Sequence, residues 1–202
     1  MNDKFFDLKK EKQDKMINGA MSIFARNGYR RASTDDMVKE VGVSKGLWFH
    51  YFGSKLGLYT FVADYAIKYM NMELAASLGS SEKDYFEILK SIEQVKMTVG
   101  KMYPFVPLFI SSVVNETDPE AVGTVKGYVD AFGQKISKAL ENADETLFRE
   151  DIDRNLLSMS ISFTMRGILE EEYAKPVFAQ AEYMKRVTDY LDMMKTLCYR
   201  EE

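Results

Sequence analysis

Lys45, Gly46, Phe49 and His50 stand in the stretch VGVSKGLWFHYFGSK, Val41 to Lys55, together with the chain's only tryptophan and two further aromatic rings. The chemistry these residue types offer is non-covalent. A lysine ammonium bonds to phosphate oxygens or to the acceptors of guanine, an apolar ring meets a thymine methyl, and a glycine lets backbone come close. Around them, Thr34, Ser44 and Ser54 stand where helices are expected to begin, and the free N–H groups and dipole of a helix start favour anions. Lys55 adds positive charge at one of those starts. Three caps and two lysines in so short a span fit a clamp on a DNA backbone.

Covalent chemistry has little to work with. One Cys and one His in 202 residues put a structural zinc site and an intrachain disulfide framework out of reach. No phosphate-cradling glycine loop is present, Cys198 and His50 lie far apart, and the carboxylates show no pairing beyond ordinary helix surfaces. An enzyme is therefore not expected, and no cofactor, metal or catalytic residue is assigned. The three residues Asn115-Glu116-Thr117 match a glycosylation acceptor, but the charged N-terminus MNDKFFDLKKEKQDK shows no export signal, so the match has no chemistry behind it. The longest apolar passage, YPFVPLFISSVV, is broken by Pro104 and Pro107 and falls short of the ~20 residues a membrane span needs. The expected location is the cytoplasm, with Cys198 a reduced thiol.

Charge is divided unevenly. Residues 1–55 hold 11 Lys and Arg against 7 Asp and Glu, while the rest of the chain holds 16 against 24. A basic N-terminal module on an acidic body suits a local polyanion contact.

Positioning the first group of residues requires a particular local fold. At about 100° per residue, Lys45, Gly46, Phe49 and His50 share one side of a helix, and Leu47, Trp48 and Tyr51 centre on the other, with Phe52 closing its end. Trp48 is then a core anchor. Upstream, Ile17, Ala20, Met21 and Phe24 recur at helical spacing, so a first helix from about Leu8 buries one stripe and stops at Asn27-Gly28. Thr34 ahead of Asp35 and Asp36 predicts the cap of a second helix, closed by Gly42. Ser44 caps the third, which ends near Phe52. Two short helices joined by a three-residue turn with a glycine form the pattern of a helix-turn-helix, whose second helix enters the major groove of DNA.

Downstream the periodicity stays helical and period-two strand patterns are absent, so the fold class is all-α with about nine helices. A long fourth helix follows the Ser54 cap. Others are expected over about 82–101 after a Ser80-Ser81 cap, 105–114, 118–142 from Asp118-Pro119, 151–174 and 177–199. Residues 1–53 form the expected DNA-binding module and 54–202 a larger domain.

The run STDDMVKEVGVSKGLWFHYFGSKLGLY resembles the N-terminal signature of the TetR (tetracycline-repressor-like) family of bacterial transcription regulators, with the likeness specific over about Lys9–Tyr59. The resemblance implies base contacts from Lys45, Gly46 and Phe49 and phosphate contacts from Thr34, Ser44, Tyr51 and Lys55, with His50 touching the backbone or stacking beside it. Three positions depart from the pattern. Leu47 stands where a hydroxyl residue is frequent, Phe49 replaces a common tyrosine, and Gly57 replaces an acidic residue that would complete a capping box with Ser54. Gly57 is expected to loosen the start of the fourth helix by up to ~1 kcal/mol relative to Ala.

The larger domain is rich in Met, Tyr and Phe. Tyr65, Tyr69, Met97, Met102, Tyr103, Phe105, Phe109, Phe163 and Met165 are candidates to line an adaptable apolar cavity, and all of them equally fit plain core packing. The resemblance implies an effector pocket among helices four to eight and a dimer contact through the last two helices. There Leu157, Ile161, Thr164 and Ile168, and Val187, Tyr190, Leu191 and Met194, form stripes that burial within the chain would explain as well. The expectation is a cytoplasmic homodimeric regulator that binds a palindromic operator in double-stranded DNA, acting as a repressor released by a small apolar or amphipathic effector. The alternative, kept open by Leu47 and Phe49, is a helical ligand-binding or adaptor protein that has lost DNA binding.

Overall fold

The computed structural model describes residues 3–79 and 81–200. Among them it holds nine α-helices and no strand, only an isolated antiparallel bridge between Phe148 and Tyr199. The helices are α1 (Lys10–Arg31), α2 (Thr34–Val41), α3 (Lys45–Phe52), α4 (Lys55–Ser77), α5 (Tyr85–Gly100), α6 (Val106–Val114), α7 (Pro119–Leu140), α8 (Arg154–Tyr173) and α9 (Gln180–Cys198). No helix among the described residues is long and apolar enough to cross a membrane.

Local chemistry fixes where these helices begin. Ser44 Oγ accepts from Leu47 N at 3.3 Å, Ser54 Oγ from Gly57 N at 2.9 Å, and Asp118 Oδ1 from Glu120 N at 3.1 Å. Two caps differ from expectation. The side chain that caps α2 is Ser33, accepting from Asp35 N and Asp36 N, and Thr34 is the first residue inside the helix. For α5, Asp84 Oδ1 takes the N–H groups of Phe86 and Glu87, so the helix starts at Tyr85. A carboxylate there outranks the serines upstream because its charge also complements the dipole. Of the expected Ser80-Ser81 cap, Ser80 lies outside the described residues.

The chain divides into two compact units, residues 1–73 with 98–134 and residues 74–97 with 135–202. In the first unit α1 packs on α6 and α2, and α2 on α3. The α1 stripe Met16, Ile17, Ala20, Met21 and Phe24 is fully buried, as its spacing predicts. Phe24 meets Tyr59 of α4 edge to face at 4.9 Å and lies 6.3 Å from Phe109 of α6. Burial of a ring of this size contributes about 1.5–3 kcal/mol. Near the end of α1, Gly28 has φ +68° and interrupts the helical geometry before a last turn to Arg31. Gly42 ends α2 in the left-handed region, φ 72° and ψ 34°, and donates its N–H to Val38 O.

In the second unit the inward stripe of α8 is Leu157, Ile161, Met165 and Leu169, and that of α9 is Tyr183, Val187 and Leu191, all buried. Four of the residues in the stripes considered for a symmetry mate, Leu157, Ile161, Val187 and Leu191, are thus buried within the chain. The apolar row left on the outside is a different one. It consists of Leu156, Met159 and Phe163 on α8 with Met193 and Leu197 on α9, each about half exposed. Buried Tyr183 donates its hydroxyl to buried Glu93 at 2.7 Å, and Lys96 pairs with the other carboxylate oxygen. Both buried polar groups are thereby satisfied, which burial demands.

Candidate nucleic-acid interface

The sequence places two kinds of residue on α3, and the structure separates them by face. Trp48, Tyr51 and Phe52 are buried, whereas Lys45, Gly46, Phe49 and His50 are exposed. Phe49, a large apolar ring, remains 41% exposed on a helix whose Trp48, Tyr51 and Phe52 rings are inside. The exposed set forms one side of α3 because, at 100° per residue, all four positions fall within an arc of about 140°.

Tyr51, expected at a phosphate, is only 8% exposed and packs edge to face on Phe5 at 5.7 Å. Its ring belongs to the support of α3, because an aromatic ring gains more from burial than from standing in water. Trp48 stacks obliquely on Phe52 at 5.6 Å, and its Nε1 is buried without a partner.

Lys45 reaches sideways to Asp35 at the start of α2, Nζ to Oδ1 2.8 Å, with both side chains at least half exposed. Such a pair is worth little in water, so the ammonium can exchange Asp35 for a phosphate at small cost. Lys55 differs from its expected role. Its Nζ donates to the carbonyls of Arg30 at 3.2 Å and Ala32 at 3.3 Å and stands 4.6 Å above the Tyr29 ring. The carbonyls at the end of α1 lack helical partners, and a cation beside them satisfies both their hydrogen bonding and the negative helix end. Lys55 therefore closes α1 against α4 instead of standing free for a phosphate.

Gly57 also differs from its expected effect. A Cβ built at this position would lie 2.2 Å from Phe52 O and 3.4 Å from Phe52 C. The absent side chain lets the first turn of α4 press on the last carbonyl of α3, so Gly57 tightens the corner between the two helices.

Three residues that no sequence pattern assigned to the site hold α1 to α4 from beyond those helices. Phe5, in a 3-10 turn at Asp3–Phe5, is fully buried and contacts the rings of Tyr51, Phe52 and Phe61. Glu116 accepts the Tyr29 N–H at 2.8 Å, and Glu120 accepts the Tyr29 hydroxyl at 2.9 Å. Burial, and then the Glu120 carboxylate, push the Tyr29 phenol up to about 12. None of the three had a sequence signal for this role, since an isolated Phe pair in a charged run has no periodicity and a glutamate in a turn or at a helix start looks solvated.

The candidate cavity residues divide between the two units. Tyr65, Tyr69, Met102, Tyr103, Phe105 and Phe109 fall in the first, and Met97, Phe163 and Met165 in the second. Tyr103 is the hub of one cluster, with Tyr65 and Tyr69 edge to face at 5.5 and 5.3 Å. Its hydroxyl donates to Asp14 at 2.8 Å and accepts from Lys10 at 3.0 Å, and the Tyr65 hydroxyl lies 2.5 Å away. Burial works against the Lys10 charge, but Asp14 and Tyr103 outweigh it and raise the Lys10 pKa. Phe109, Met97 and Met165 are buried, and Phe105 lies under the Arg26 guanidinium at 4.9 Å. Met102 and Phe163 are more than half exposed, so neither is an enclosed wall in its unit. Among the described residues no three His, Cys, Asp or Glu side chains gather as they would to hold a metal ion.

An exposed basic and aromatic face on the second helix of a capped helix-turn-helix is the arrangement by which such modules read DNA. The family model for bacterial regulatory proteins of the tetR family matches residues 16–60, the segment from the middle of α1 into α4. This helix-turn-helix segment belongs to the TetR family. Among relatives, the biofilm operon icaADBC HTH-type negative transcriptional regulator IcaR of Staphylococcus aureus (strain Newman) is 17% identical over 90% of this chain and 97% of its own. A TetR family transcriptional regulator from Chloroflexus aurantiacus J-10-FL superposes with a TM-score of 0.70, at 16% identity and 99% coverage of both chains. A transcriptional regulator from Saccharomonospora viridis in complex with choline gives 0.61, at 16% identity, covering 96% of this chain and all of the other. These likenesses extend the shared fold from the helix-turn-helix across α4 to α9.

Proposed function

We propose that this TetR-family protein is a cytoplasmic transcription repressor that binds a palindromic operator as a homodimer and is released by a small apolar or amphipathic molecule. The observation that carries the DNA-binding reading is the exposed face of α3, where Lys45, Gly46, Phe49 and His50 stand on a helix anchored from behind by Trp48 and Phe52. Residues 1–53 supply the DNA contacts: bases meet Lys45, Gly46 and Phe49, and the backbone meets the α2 and α3 starts at Thr34 and Ser44 with His50 beside them. Repression is supported by the regulator IcaR, whose name describes a negative regulator.

Homodimer formation is supported by the exposed row Leu156, Met159, Phe163, Met193 and Leu197 in residues 154–198, an apolar surface that a second copy would cover. Release by an effector is supported by the choline complex of the Saccharomonospora viridis protein, which shows that a relative in fold holds a small molecule. Here the effector is assigned to residues 54–202, and it must prefer the conformation that fits DNA poorly.

Selecting bound fragments from random duplex DNA tests the proposal. A palindrome with half-sites roughly 34 Å apart or a multiple of it, bound with an affinity that falls steeply with salt, is expected. Recovery of no preferred sequence, or a monomer by sedimentation, would overturn it. The rival reading, a helical ligand-binding protein without DNA, draws on the engagement of both cations, Lys45 by Asp35 and Lys55 by the end of α1. It predicts salt-independent and negligible retention of DNA.

A further inference from the structure

The corner between α3 and α4 is completed by a residue outside the segment that the family model matches, residues 16–60. Phe5 is fully buried, with ring centroids 5.7 Å from Tyr51 and 5.1 Å from Phe52 on α3 and 5.4 Å from Phe61 on α4. Phe52 and Phe61 are themselves 5.2 Å apart, so Phe5 closes a three-ring cluster that spans the corner. Its neighbour Phe6 is 52% exposed, which marks Phe5 as the one ring of the pair directed inward.

The turn that carries Phe5 is held from α1. The Gln13 side-chain amide donates to Phe6 O at 3.1 Å and Leu8 O at 2.8 Å, and Leu8 N donates to Phe5 O at 3.3 Å. On the opposite side of the corner, Gly57 sets the approach of α4 to Phe52 O, and Ser54 N donates to the same oxygen at 2.8 Å. The carbonyl end of α3 is thus fixed by hydrogen bonding and steric contact, and its ring end by Phe5. Beyond its packing on α2 and the burial of Trp48, a helix of eight residues joined to its neighbour by two residues has few other constraints on its direction.

We propose that Phe5 is a positioning residue for DNA recognition: wedged between Tyr51, Phe52 and Phe61, it sets the direction in which α3 projects Lys45, Phe49 and His50. The inference rests on the DNA-binding reading of α3. Phe5 touches no DNA in this role. Its effect reaches the bases through the orientation of α3, and interfaces of this kind are sensitive to small misplacement of a contacting group.

The chain's only tryptophan gives a readout in the free protein. Trp48 lies 5.6 Å from Phe52, which lies 5.1 Å from Phe5, so loosening the cluster changes the surroundings of the indole. The experiment compares wild type, Phe5→Ala, Phe5→Leu and Gln13→Ala at a temperature where circular dichroism shows each folded. The DNA probe is the duplex recovered with wild type from random sequences. Phe5→Ala is expected to shift Trp48 emission to longer wavelength and to lower affinity by about 5- to 150-fold, the range over which separated sites couple. Phe5→Leu, which refills most of the space, is expected to restore affinity to near wild type.

Folded Phe5→Ala with unchanged affinity would overturn the proposal, as would Trp48 emission identical to wild type. A Phe5→Leu variant as weak as Phe5→Ala would overturn it too. Should Phe5→Ala fail to fold, Gln13→Ala decides, since it removes only the amide that holds the turn: lower affinity with shifted emission supports the role, and unchanged values overturn it. If wild type itself retains no duplex, the DNA-binding reading fails, and Trp48 emission in the free variants still tells whether Phe5 holds α3.

Discussion

Gly57→Ala offers a test in which the sign of the effect is enough. In an unhindered helix, Ala is more favourable than Gly by about 0.8–1.0 kcal/mol, because the glycine backbone loses more freedom on folding. At position 57 the new Cβ would stand 2.2 Å from the backbone oxygen of Phe52. An ordinary carbon–oxygen contact begins at about 3.3 Å, so some 1 Å of movement is required. The obstacle is backbone, and the same oxygen accepts from Ser54 N, so no side-chain rotation relieves the overlap. Overpacking of this kind costs about 1–3 kcal/mol. Set against the helix gain, Gly57→Ala is expected to destabilise by up to about 2 kcal/mol. Gly127 on α7 is the control, because a Cβ there meets nothing within 4 Å. Gly127→Ala is expected to stabilise by about 0.5–1 kcal/mol. Thermal unfolding followed by far-UV circular dichroism, at one protomer concentration, reads both, with roughly 2–4 °C per kcal/mol for a chain of this size. A Tm for Gly57→Ala that rises as much as that of Gly127→Ala would refute the close approach of α3 and α4.

Trp48→Ala is expected to cost about 3–5 kcal/mol as a buried ring truncation, measured by denaturant unfolding, while Lys45→Ala weakens DNA binding and leaves Tm within experimental scatter. Equal stability of Trp48→Ala and wild type would mean that the faces of α3 are reversed. Asp35→Asn frees Lys45 and removes a negative charge beside the recognition helix, so DNA affinity measured by fluorescence titration is expected to rise; a fall would refute the competition between Asp35 and phosphate. Burial alone would raise the Asp84 pKa, but the Lys195 ammonium and the N–H groups of Glu87 and Phe86 outweigh it and hold the carboxyl below its ordinary value. A carboxyl depressed in the folded state adds stability above its unfolded pKa of about 3.9 and loses it as pH falls through the folded value. Asp84→Asn should therefore lower Tm near neutrality, with the gap to wild type closing in acid; a gap independent of pH would refute that role.

What the sequence made legible was periodic or local. The two faces of α3 follow from helical spacing alone, and Gly42, Ser44, Ser54 and Asp118 mark their boundaries by chemistry that acts within four residues. The α2 cap was misplaced by one position because Ser33 and Thr34 both carry a suitable hydroxyl, and only the backbone turn decides which of them precedes the first helical residue. Lys55 escaped because a long flexible cation goes to whichever partner the tertiary fold brings near, here the carbonyls of Arg30 and Ala32, more than twenty residues away. Phe5 escaped for a related reason, since a single buried ring in a charged segment has no period. Leu157 and Ile161 show the limit of periodicity itself: a buried stripe looks the same whether its partner is this chain or another copy.

These tertiary contacts constrain how an effector signal could reach DNA. The sequence puts the boundary between the two expected modules at Gly53-Ser54. Yet Lys55 ties the start of α4 to the end of α1, and Gly57 packs that same turn on α3. Further along α4, Tyr65 joins Tyr103, Asp14 and Lys10 in one hydrogen-bonded cluster, while Glu116 and Glu120 hold Tyr29. The helix-turn-helix is thus bound to the first half of α4, to the segment before α6 and to the start of α7 through separate contacts within a single compact unit, residues 1–73 with 98–134. Rotation about Ser54 alone would break several of these at once, whereas movement of the whole unit breaks none of them. Under the proposed mechanism, then, an effector that alters the separation of the two recognition helices of a dimer would leave these contacts in place and carry the α3–α4 corner along unchanged.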